Sequence, residues 1–360
     1  MSVVAQWRKY AARSPRTCIL AAVEHDHWVQ LAEIQAARGR IASSIHRTPM
    51  LSSATAAGVV QSATGASVGD GRVYLKAEHL QKTGSFKPRG MTNRVASLSA
   101  ANRERGIITF SAGNAAQGYA YAGAALGVPV TVVMPAAANP MKVAATRGYG
   151  AEVILEGDHF GEVVAAMERI RSERGLILCH PFDDPAVIAG HGSVGLEILE
   201  DLPDVNVVVI GVGGGGLISG TAAALRELRR GVRVYGVEPT GSDAMSRALA
   251  AGGPVSFAPH SVADGLNAPF AGEWTLAMAR HYVEDVIRIE DSTILMGVQF
   301  GLERLKQVLE PAGAAALAAL LAGRIPVHAG ERVCVVLSGG NLDTTRLGEF
   351  LALAAPIADA

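Results

Sequence analysis

The 360-residue sequence has few cysteines, few aromatic residues and little charge. Cys18, Cys179 and Cys334 lie far apart and form no CxxC pair, which argues against a disulfide framework or a cysteine-bound zinc ion. Aromatic residues make up 5% and charged residues 18%, with a formal net charge of −1, so no basic surface for nucleic acid is expected. We therefore predict a cytoplasmic protein whose partner is a small molecule.

Long apolar runs are also absent. No segment of about 20 residues is apolar throughout, so no membrane span is predicted. Residues 1–23 carry four basic residues and no acidic one, but they lack the apolar core and cleavage site of a targeting leader. Glycine (41 residues) and hydrophobic residues (49%) are abundant instead, which is typical of a soluble α/β enzyme.

The order of the sequence patterns predicts two domains. Short β-branched runs alternate with alanine-rich helical patterns, as in parallel strands joined by crossover helices. Residues 72–80 fit a strand, residues 95–106 fit a helix, and Gly127 is expected to end a later helix. This alternation is complete within residues 81–178, which we predict to form a small domain inserted into a large domain of residues 28–80 and 179–350. Residues 1–27 would be an N-terminal extension and residues 351–360 a tail. Ligands in such folds bind beyond the carboxyl ends of the strands.

The loop "GVGGGG" (211–216) follows an apolar strand and opens a helix at Leu217. Unobstructed backbone N–H groups at a helix N-terminus are typical of a phosphate-binding loop, and the missing GK[ST] ending argues against ATP hydrolysis. The loop also matches GxGxxG, with Glu238 where a ribose-binding acid would stand. An NAD-dependent oxidoreductase is therefore a rival interpretation, although it gives the other loops no role. A third interpretation is a tight turn that binds no ligand.

Two further loops follow predicted strands. In "SAGNAAQG" (111–118), Ser111 and Asn114 can cap the next helix, and the small residues leave backbone donors open to a carboxylate. In "LSGGN" (337–341), Ser338 is either an ordinary helix cap or the partner of a ring nitrogen in a pocket.

The segment "KTGSFKPRG" (82–90) predicts a helix start. Ser85 is the expected N-cap, Pro88 suits the first turn, and Lys87 lies at its beginning. A cation near a helix N-terminus is unfavourable, which lowers the pKa of the lysine amine and favours its use as a nucleophile. Taken alone, Lys87 would be a solvated surface lysine. Together with a phosphate loop, an asparagine for a phenolic oxygen and a hydroxyl for a ring nitrogen, it predicts a pyridoxal phosphate site.

From about Gln30 to about Phe350 the chain resembles the threonine dehydratase and serine racemase family of fold-type-II pyridoxal phosphate enzymes, which is related to the tryptophan synthase β subunit. The motifs "KAEHLQKTGSFKPRG", "SAGNAAQG", "GVGGGGLISG", "EPAGAAAL" and "LSGGN" occur in the family's order. The resemblance implies a two-lobed α/β fold with parallel-rich sheets flanked by helices. It also implies a homodimer or homotetramer, since family members form dimers or tetramers.

The resemblance assigns roles to individual residues. Lys87 would carry the cofactor as an imine, Asn114 would contact its phenolic oxygen, and Ser338 would face its pyridine nitrogen. The remaining implied cofactor contacts are Phe86, Gly213, Gly214, Gly215, Gly216 and Leu217. The implied substrate contacts are Ser85, Ser111, Ala112, Gly113, Asn114 and Ala115.

The chemistry implied is dehydration and deamination of a β-hydroxy amino acid such as L-threonine or L-serine to a 2-oxo acid and ammonia. Family racemases have a serine at the position of Ala112, so racemisation is disfavoured. Most members have histidine at Ala115, which implies a smaller-walled pocket here and leaves hydroxyaspartate or another β-hydroxy amino acid open as substrate. Only ten residues follow Phe350, so we expect no C-terminal regulatory domain and a catabolic role.

The sequence leaves alternative roles for two acidic residues, Glu238 and Glu310. Some family members bind a divalent ion through a glutamate at the position of Glu238 and an acid six residues later. That second position is Ala244 here, with Asp243 one place early, so a divalent or monovalent cation is possible and a structural acid is the alternative. The resemblance also places Glu310 in the cofactor pocket, with an exposed helix end as the alternative.

Overall fold

The computed structural model describes residues 28–356. The extension predicted for residues 1–27, and residues 357–360 of the predicted tail, lie outside the described part. Within it, strands form a six-stranded sheet of order β1-β2-β10-β7-β8-β9 and a four-stranded sheet of order β5-β4-β3-β6. The strands are β1 Met50–Ser53, β2 Val73–Lys76, β3 Ile107–Phe110, β4 Val130–Met134, β5 Glu152–Leu155, β6 Ile177–Leu178, β7 Val207–Gly211, β8 Arg233–Pro239, β9 Asp285–Ile289 and β10 Val333–Val336.

Helices flank both sheets. They are α1 Leu31–Ile41, α2 Ala54–Thr64, α3 Lys87–Ala96, α4 Ala100–Arg105, α5 Asn114–Leu126, α6 Pro140–Gly148, α7 Phe160–Arg174, α8 Pro185–Asp201, α9 Gly216–Leu228, α10 Ala244–Ala251, α11 Glu273–Tyr282, α12 Asp291–Phe300, α13 Pro311–Leu321 and α14 Leu347–Leu353. No helix among the described residues is both long and apolar enough to cross a membrane.

Successive residues of the central strands face two different hydrophobic cores. Val207 and Val209 of β7 pack into the core that contains α2, α12 and α13, whereas Val208 and Ile210 pack into the core that contains α1, α8, α9 and α11. Side chains alternate between the two faces of a strand, so a strand covered on both faces has to be apolar throughout. This explains the uninterrupted run "VVVI".

Parallel pairing places the carboxyl ends of most strands on one side of each sheet. In the larger sheet β2, β10, β7, β8 and β9 are parallel and only β1 is antiparallel, while the described pairs of the smaller sheet are all parallel. The smaller sheet uses residues 107–178, and the larger uses residues 50–76 and 207–336. The domain boundaries given above stay a prediction, which this division of the strands supports.

Several local predictions differ from the structure. The helix expected over residues 95–106 is instead the end of α3 followed by α4, because Ser99 Oγ accepts from the N–H of Asn102 at 3.2 Å and caps a new helix. The strand expected over residues 72–80 ends at Lys76 and is followed by a 3-10 turn at Glu78–Leu80. The expected glycine stop at Gly127 is confirmed, since its φ of 66° is left-handed.

The helix caps expected at three residues are wrong. Phe86 is the N-cap of α3 and gives no side-chain hydrogen bond, and the buried Ser85 Oγ has no hydrogen-bond partner among the described residues. The N-cap of α5 is Gly113, so Ser111 and Asn114 do not cap it. Ser111 Oγ accepts from the Gly113 N–H at 3.2 Å and shapes the loop before the helix instead. The Ser111 hydroxyl therefore stabilises its own loop, and none of the three residues is the N-cap of α3 or α5.

Candidate active site

A cavity of about 550 Å³ lies where the strand ends of the two sheets meet. Its walls come from the loops after β3, β4 and β5 in the smaller sheet and after β7 and β10 in the larger. The predicted site residues that line it are Phe86, Lys87, Ser111, Ala112, Gly113, Asn114, Ala115, Gly213, Gly214, Gly215, Gly216, Leu217 and Ser338. Ser85 and Glu238 do not line it. The tertiary structure thus brings the four segments that carry predicted site residues, which are far apart in sequence, around one space.

Lys87 is the first residue of α3, and its side chain lies on the cavity wall. Its Nζ donates to the carbonyl oxygen of Pro181 at 3.4 Å and lies 4.9 Å from the centroid of the Phe86 ring. Removal from bulk water lowers the pKa of Lys87 to about 8, against the smaller opposing effect of Glu310. The amine is therefore partly neutral near neutral pH, as a nucleophile or base requires.

The loop that carries Lys87 is attached to the loop after β10. Ser85 forms an antiparallel bridge with Gly339, the Phe86 N–H donates to Ser338 O at 3.1 Å, and the Gly340 N–H donates to Gly84 O at 2.8 Å. Backbone hydrogen bonds of this kind fix position without depending on side chains. They hold Lys87 and Ser338 at a set separation across the cavity.

The glycine loop leaves no space for side chains. A Cβ on Gly214 would meet the Phe182 ring at 2.4 Å, and one on Gly216 would meet the Phe182 carbonyl at 3.0 Å. Gly215 adopts a left-handed φ of 91°, which disfavours residues with a Cβ. The first N–H groups of α9 have no partner within their helix. A phosphate at this point would meet backbone donors at the positive end of a helix, so the loop fits pyridoxal phosphate.

Asn114 and Glu310 lie side by side on the cavity wall. Asn114 Nδ2 donates to Glu310 Oε1 at 2.5 Å, and Glu310 precedes Pro311 at the start of α13. Burial raises the pKa of the Glu310 carboxyl to about 7. Glu310 is only 3% exposed, so the structure places it in the pocket and the exposed helix end considered above is wrong.

Phe110, Phe160 and Phe182 form an aromatic part of the cavity wall, and Phe270 and His180 pack against them. Phe110 and Phe160 contact edge to face with ring centroids 5.8 Å apart, and Phe182 lies 5.4 Å from Phe270. His180 packs among them, and its Nδ1 accepts from the Asp183 N–H at 2.8 Å. Desolvation, with the nearby Lys87, lowers the pKa of His180 to about 3. His180 is therefore neutral and supports the aromatic wall by packing against Phe110 and Phe182.

Glu238 belongs to a separate, buried position. Its carboxylate accepts from the Met245 N–H at 2.7 Å, the Ser246 N–H at 3.0 Å and the Ser246 hydroxyl at 2.7 Å. Desolvation raises its pKa to about 7 despite these bonds. Within residues 28–356 no group of three or more His, Cys, Asp or Glu side chains could hold a metal ion, and a cation at Glu238 stays a prediction.

Two residues near the site, Asn341 and Phe182, have no role predicted from the sequence. Asn341 of the "LSGGN" motif donates to Asn114 Oδ1 at 2.8 Å. Phe182, in the segment "HPFDD", closes the glycine loop from one side. The "LSGGN" motif predicts a functional loop, but it does not predict the contact of Asn341 with Asn114. Phe182 belongs to no recognised motif, so its contact with the glycine loop is known only from the fold.

A lysine of lowered pKa, a side-chain-free loop at a helix N-terminus and a buried carboxyl–amide pair around one cavity define a pyridoxal phosphate-binding α/β enzyme. The sequence comparison agrees, since the family described as pyridoxal-phosphate dependent enzyme matches residues 41–339. The chain belongs to this family. The predicted fold class, family and cofactor are confirmed, and the GxGxxG match no longer supports a dinucleotide.

Named relatives narrow the comparison. An L-threonine ammonia-lyase of Thermotoga maritima is 42% identical over 325 residues, covering 90% of this chain and 78% of the relative. The structure of maize serine racemase superimposes with a TM-score of 0.83 at 32% identity, covering 90% of this chain and 97% of the other. The crystal structure of a T.th. threonine deaminase gives a TM-score of 0.77 at 38% identity, covering 87% and 99%.

Proposed function

We propose that the protein is an ammonia-lyase that converts a β-hydroxy amino acid, L-threonine first and L-serine second, into a 2-oxo acid and ammonia. The observation that carries the proposal is Lys87 on the wall of a cavity that contains a phosphate-type loop, in a chain 42% identical over 90% of its length to an L-threonine ammonia-lyase. The predicted homodimer or homotetramer, cytoplasmic location and catabolic role accompany it as predictions.

The cofactor would be held by residues that already face the cavity. Lys87 would bind it covalently, the N–H groups from Gly213 to Leu217 would hold its phosphate, and Asn114 and Ser338 would hold its ring. When bound, pyridoxal phosphate supplies an electron sink for negative charge at the substrate α-carbon. Ser338 is an uncharged hydroxyl whose Oγ lies 3.4 Å from Ala312 O, so it brings no charge to the group it faces.

The other steps belong to side chains and backbone of this chain. The free Lys87 amine would take the α-proton of the substrate, because its lowered pKa leaves it partly neutral at working pH. The backbone donors of residues 111–115 hold the substrate carboxylate at the start of α5. The α-proton and the β-hydroxyl leave together as one water, and one water is consumed when the released enamine is hydrolysed. The net reaction removes one ammonia and leaves one 2-oxo acid.

Racemisation is the alternative that the likeness to a serine racemase suggests. It requires a second acid that returns the proton to the opposite face of the α-carbon. Ala112 lines the cavity where family racemases have a serine, and a methyl group cannot move a proton. We therefore expect elimination to dominate, with little or no D-amino acid formed.

A substrate panel tests the proposal directly. Purified protein loaded with cofactor is incubated with L-threonine, L-serine, 3-hydroxyaspartate or phenylserine, and 2-oxo acid, ammonia and D-isomer are measured. We expect 2-oxo acid and ammonia in equal amounts, highest with threonine. Formation of D-serine without ammonia would establish the racemase instead.

Replacing Lys87 tests the assigned nucleophile. Lys87→Ala should remove both turnover and the absorption band of lysine-bound cofactor at the boundary of the visible and near-ultraviolet, because Lys142, a second lysine on the cavity wall, is paired with Asp264. Lys82→Ala is the matched control, since Lys82 lies five residues earlier and outside the cavity wall. An active, yellow Lys87→Ala protein would refute the assignment.

A further inference from the structure

Asn341 connects the polar wall of the cavity to the backbone of the loop that precedes Lys87. Its Nδ2 donates to the carbonyl oxygen of Thr83 at 2.8 Å and to Asn114 Oδ1 at 2.8 Å. Asn341 itself does not line the cavity. It is a bridge between a backbone group and the side chain predicted to meet the cofactor.

The direction of this chain of hydrogen bonds is fixed at its outer end. A backbone carbonyl can only accept, so the Asn341 amide must turn its nitrogen toward Thr83. The same nitrogen carries the second hydrogen, which is directed at Asn114 and therefore requires an oxygen there. Asn114 Oδ1 consequently faces Asn341, and Asn114 Nδ2 faces Glu310.

An asparagine side chain has nearly the same shape when its amide is rotated by half a turn, so packing alone does not choose between presenting N–H or C=O to a pocket. The hydrogen-bond network makes that choice. If the site holds a ring that carries an oxygen, an N–H of Asn114 would attract that oxygen, whereas the Asn114 carbonyl would repel it.

We propose that Asn341 is a positioning residue that orients the Asn114 amide, so that Asn114 presents a hydrogen-bond donor to the cavity. Glu310 at the inner end accepts from that donor, and Thr83 O at the outer end fixes its direction. The proposal rests on the proposed cofactor contact of Asn114, and it adds a residue that acts only through another. Gly84 belongs to the same arrangement, because a Cβ there would lie 2.4 Å from Asn341 Oδ1.

The isosteric pair Asn341→Asp and Asn341→Leu tests it on the cofactor-loaded protein. An ionised aspartate can only accept, so it draws the Asn114 nitrogen toward itself and turns the Asn114 oxygen toward the cavity. Leucine has the same branching and makes no hydrogen bonds, so Asn114 would be held only by its bond to Glu310. A role in packing alone predicts similar small effects for both substitutions.

Cofactor affinity and absorption in the absence of substrate are the readouts. We expect Asn341→Asp to raise the cofactor dissociation constant about tenfold or more and to shift the absorption band, because a donor has become an acceptor. Asn341→Leu should raise the constant by a smaller factor. A band and dissociation constant unchanged in both variants, or a larger loss for leucine than for aspartate, would overturn the proposal.

Asn93→Asp controls for loss of a structural asparagine. Asn93 Nδ2 donates to Ala186 O at 2.7 Å and its Oδ1 accepts from Arg40; neither bond involves Asn114, so its substitution should change the thermal midpoint without shifting the band. If Asn341→Asp does not fold, Asn341→Leu and Asn341→Ala test the proposal instead. Both should raise the cofactor dissociation constant and change the absorption band, and an unchanged band in both would overturn the proposal. Because product formation by the wild-type protein tests the proposed function separately, either proposal can fail alone.

Discussion

Two buried titratable groups in the cavity have pKa values that move toward each other. The pKa of Lys87 falls to about 8 and that of Glu310 rises to about 7. Desolvation is the largest cause in both, since burial disfavours the charged form of either group. The two charges oppose these shifts only weakly. At the scale of single residues, the pocket is arranged so that a neutral amine is available near neutral pH.

This arrangement predicts how cofactor loading depends on pH. Only a neutral amine attacks the cofactor's aldehyde, so the loading rate of cofactor-free protein should rise as pH increases and level off above about 8, the pKa of Lys87. An ordinary lysine would level off near 10.5. The growth of the absorption band after mixing, measured from pH 6 to pH 10, checks this. A rate that keeps rising past pH 9 would contradict it.

Glu310 predicts a pH-dependent effect on stability. Its folded-state pKa of about 7 lies above the usual 4.5, so the folded state binds its proton more tightly and the carboxyl destabilises the fold increasingly as pH rises from about 4.5 to 7. Glu310→Gln accepts the same Asn114 hydrogen bond without a charge. The cofactor-free variant should have the same thermal midpoint as wild type near pH 4.5 and a higher one at pH 8. The gain in the free energy of unfolding at pH 8 should be up to about 3 kcal/mol.

At the scale of elements, the turn from β7 into α9 depends on having no side chains. The turn lies against Phe182 on one side and against Met245 and Thr275 on another, where a Cβ on Gly215 would lie 2.6 Å from Met245 Cε and 2.8 Å from Thr275 Cβ. The helix can start at this point only because the loop before it is bare. Its N–H groups therefore stay open to a phosphate.

Gly215→Ala should weaken cofactor binding at least about tenfold, because a left-handed alanine is strained by about 1–2 kcal/mol and its methyl meets two neighbours. Gly231→Ala is the control, since nothing lies within 4 Å of a Cβ there and its binding should be unchanged. Equilibrium titration of cofactor by absorption or protein fluorescence gives both constants. Equal affinity for the two variants would show that the loop does not bind the phosphate.

At the scale of the whole molecule, a buried cluster of charges joins the larger sheet to the helix that carries Lys87. Arg89 of α3 pairs with Glu78 at 2.7 Å and with Glu197 of α8 at 2.7 Å, and Lys76 of β2 pairs with Glu197 at 2.6 Å. These two cations and two carboxylates are each at most 4% exposed, and the half-buried Asp201 adds a third carboxylate 3.8 Å from Lys76 Nζ. The start of α3 is therefore attached to both β2 and α8.

Removing Arg89 leaves two carboxylates buried without their shared partner. We expect Arg89→Met to lower the free energy of unfolding by about 3–5 kcal/mol, seen as a lower thermal midpoint. Arg169→Met is the contrast, since Arg169 pairs with Glu156 and Glu173 at the exposed surface and should change the midpoint little. A wild-type midpoint for Arg89→Met would show that the cluster is dispensable.

How far the sequence predicts the site differs from residue to residue. Lys87, Asn114 and Ser338 follow from strand–loop–helix patterns and family motifs, because parallel strands bring their carboxyl-end loops to one edge. The helix caps predicted at Ser85, Ser111 and Asn114 are wrong, because capping propensity is a local property. It does not include long-range contacts that fix the backbone in another conformation. The backbone of Ser85 pairs with Gly339, more than 250 residues away in the sequence.

Local patterns and motifs are enough to predict the alternation of apolar strands and small-residue helices, the bare glycine loop, the lysine and the family. Which atoms face the cavity depends on the tertiary structure. It lowered the pKa of Lys87 by burial, buried Glu310, and turned the Asn114 amide through Asn341. Desolvation and hydrogen-bond direction depend on neighbours distant in the chain, so they arise only when the two sheets meet.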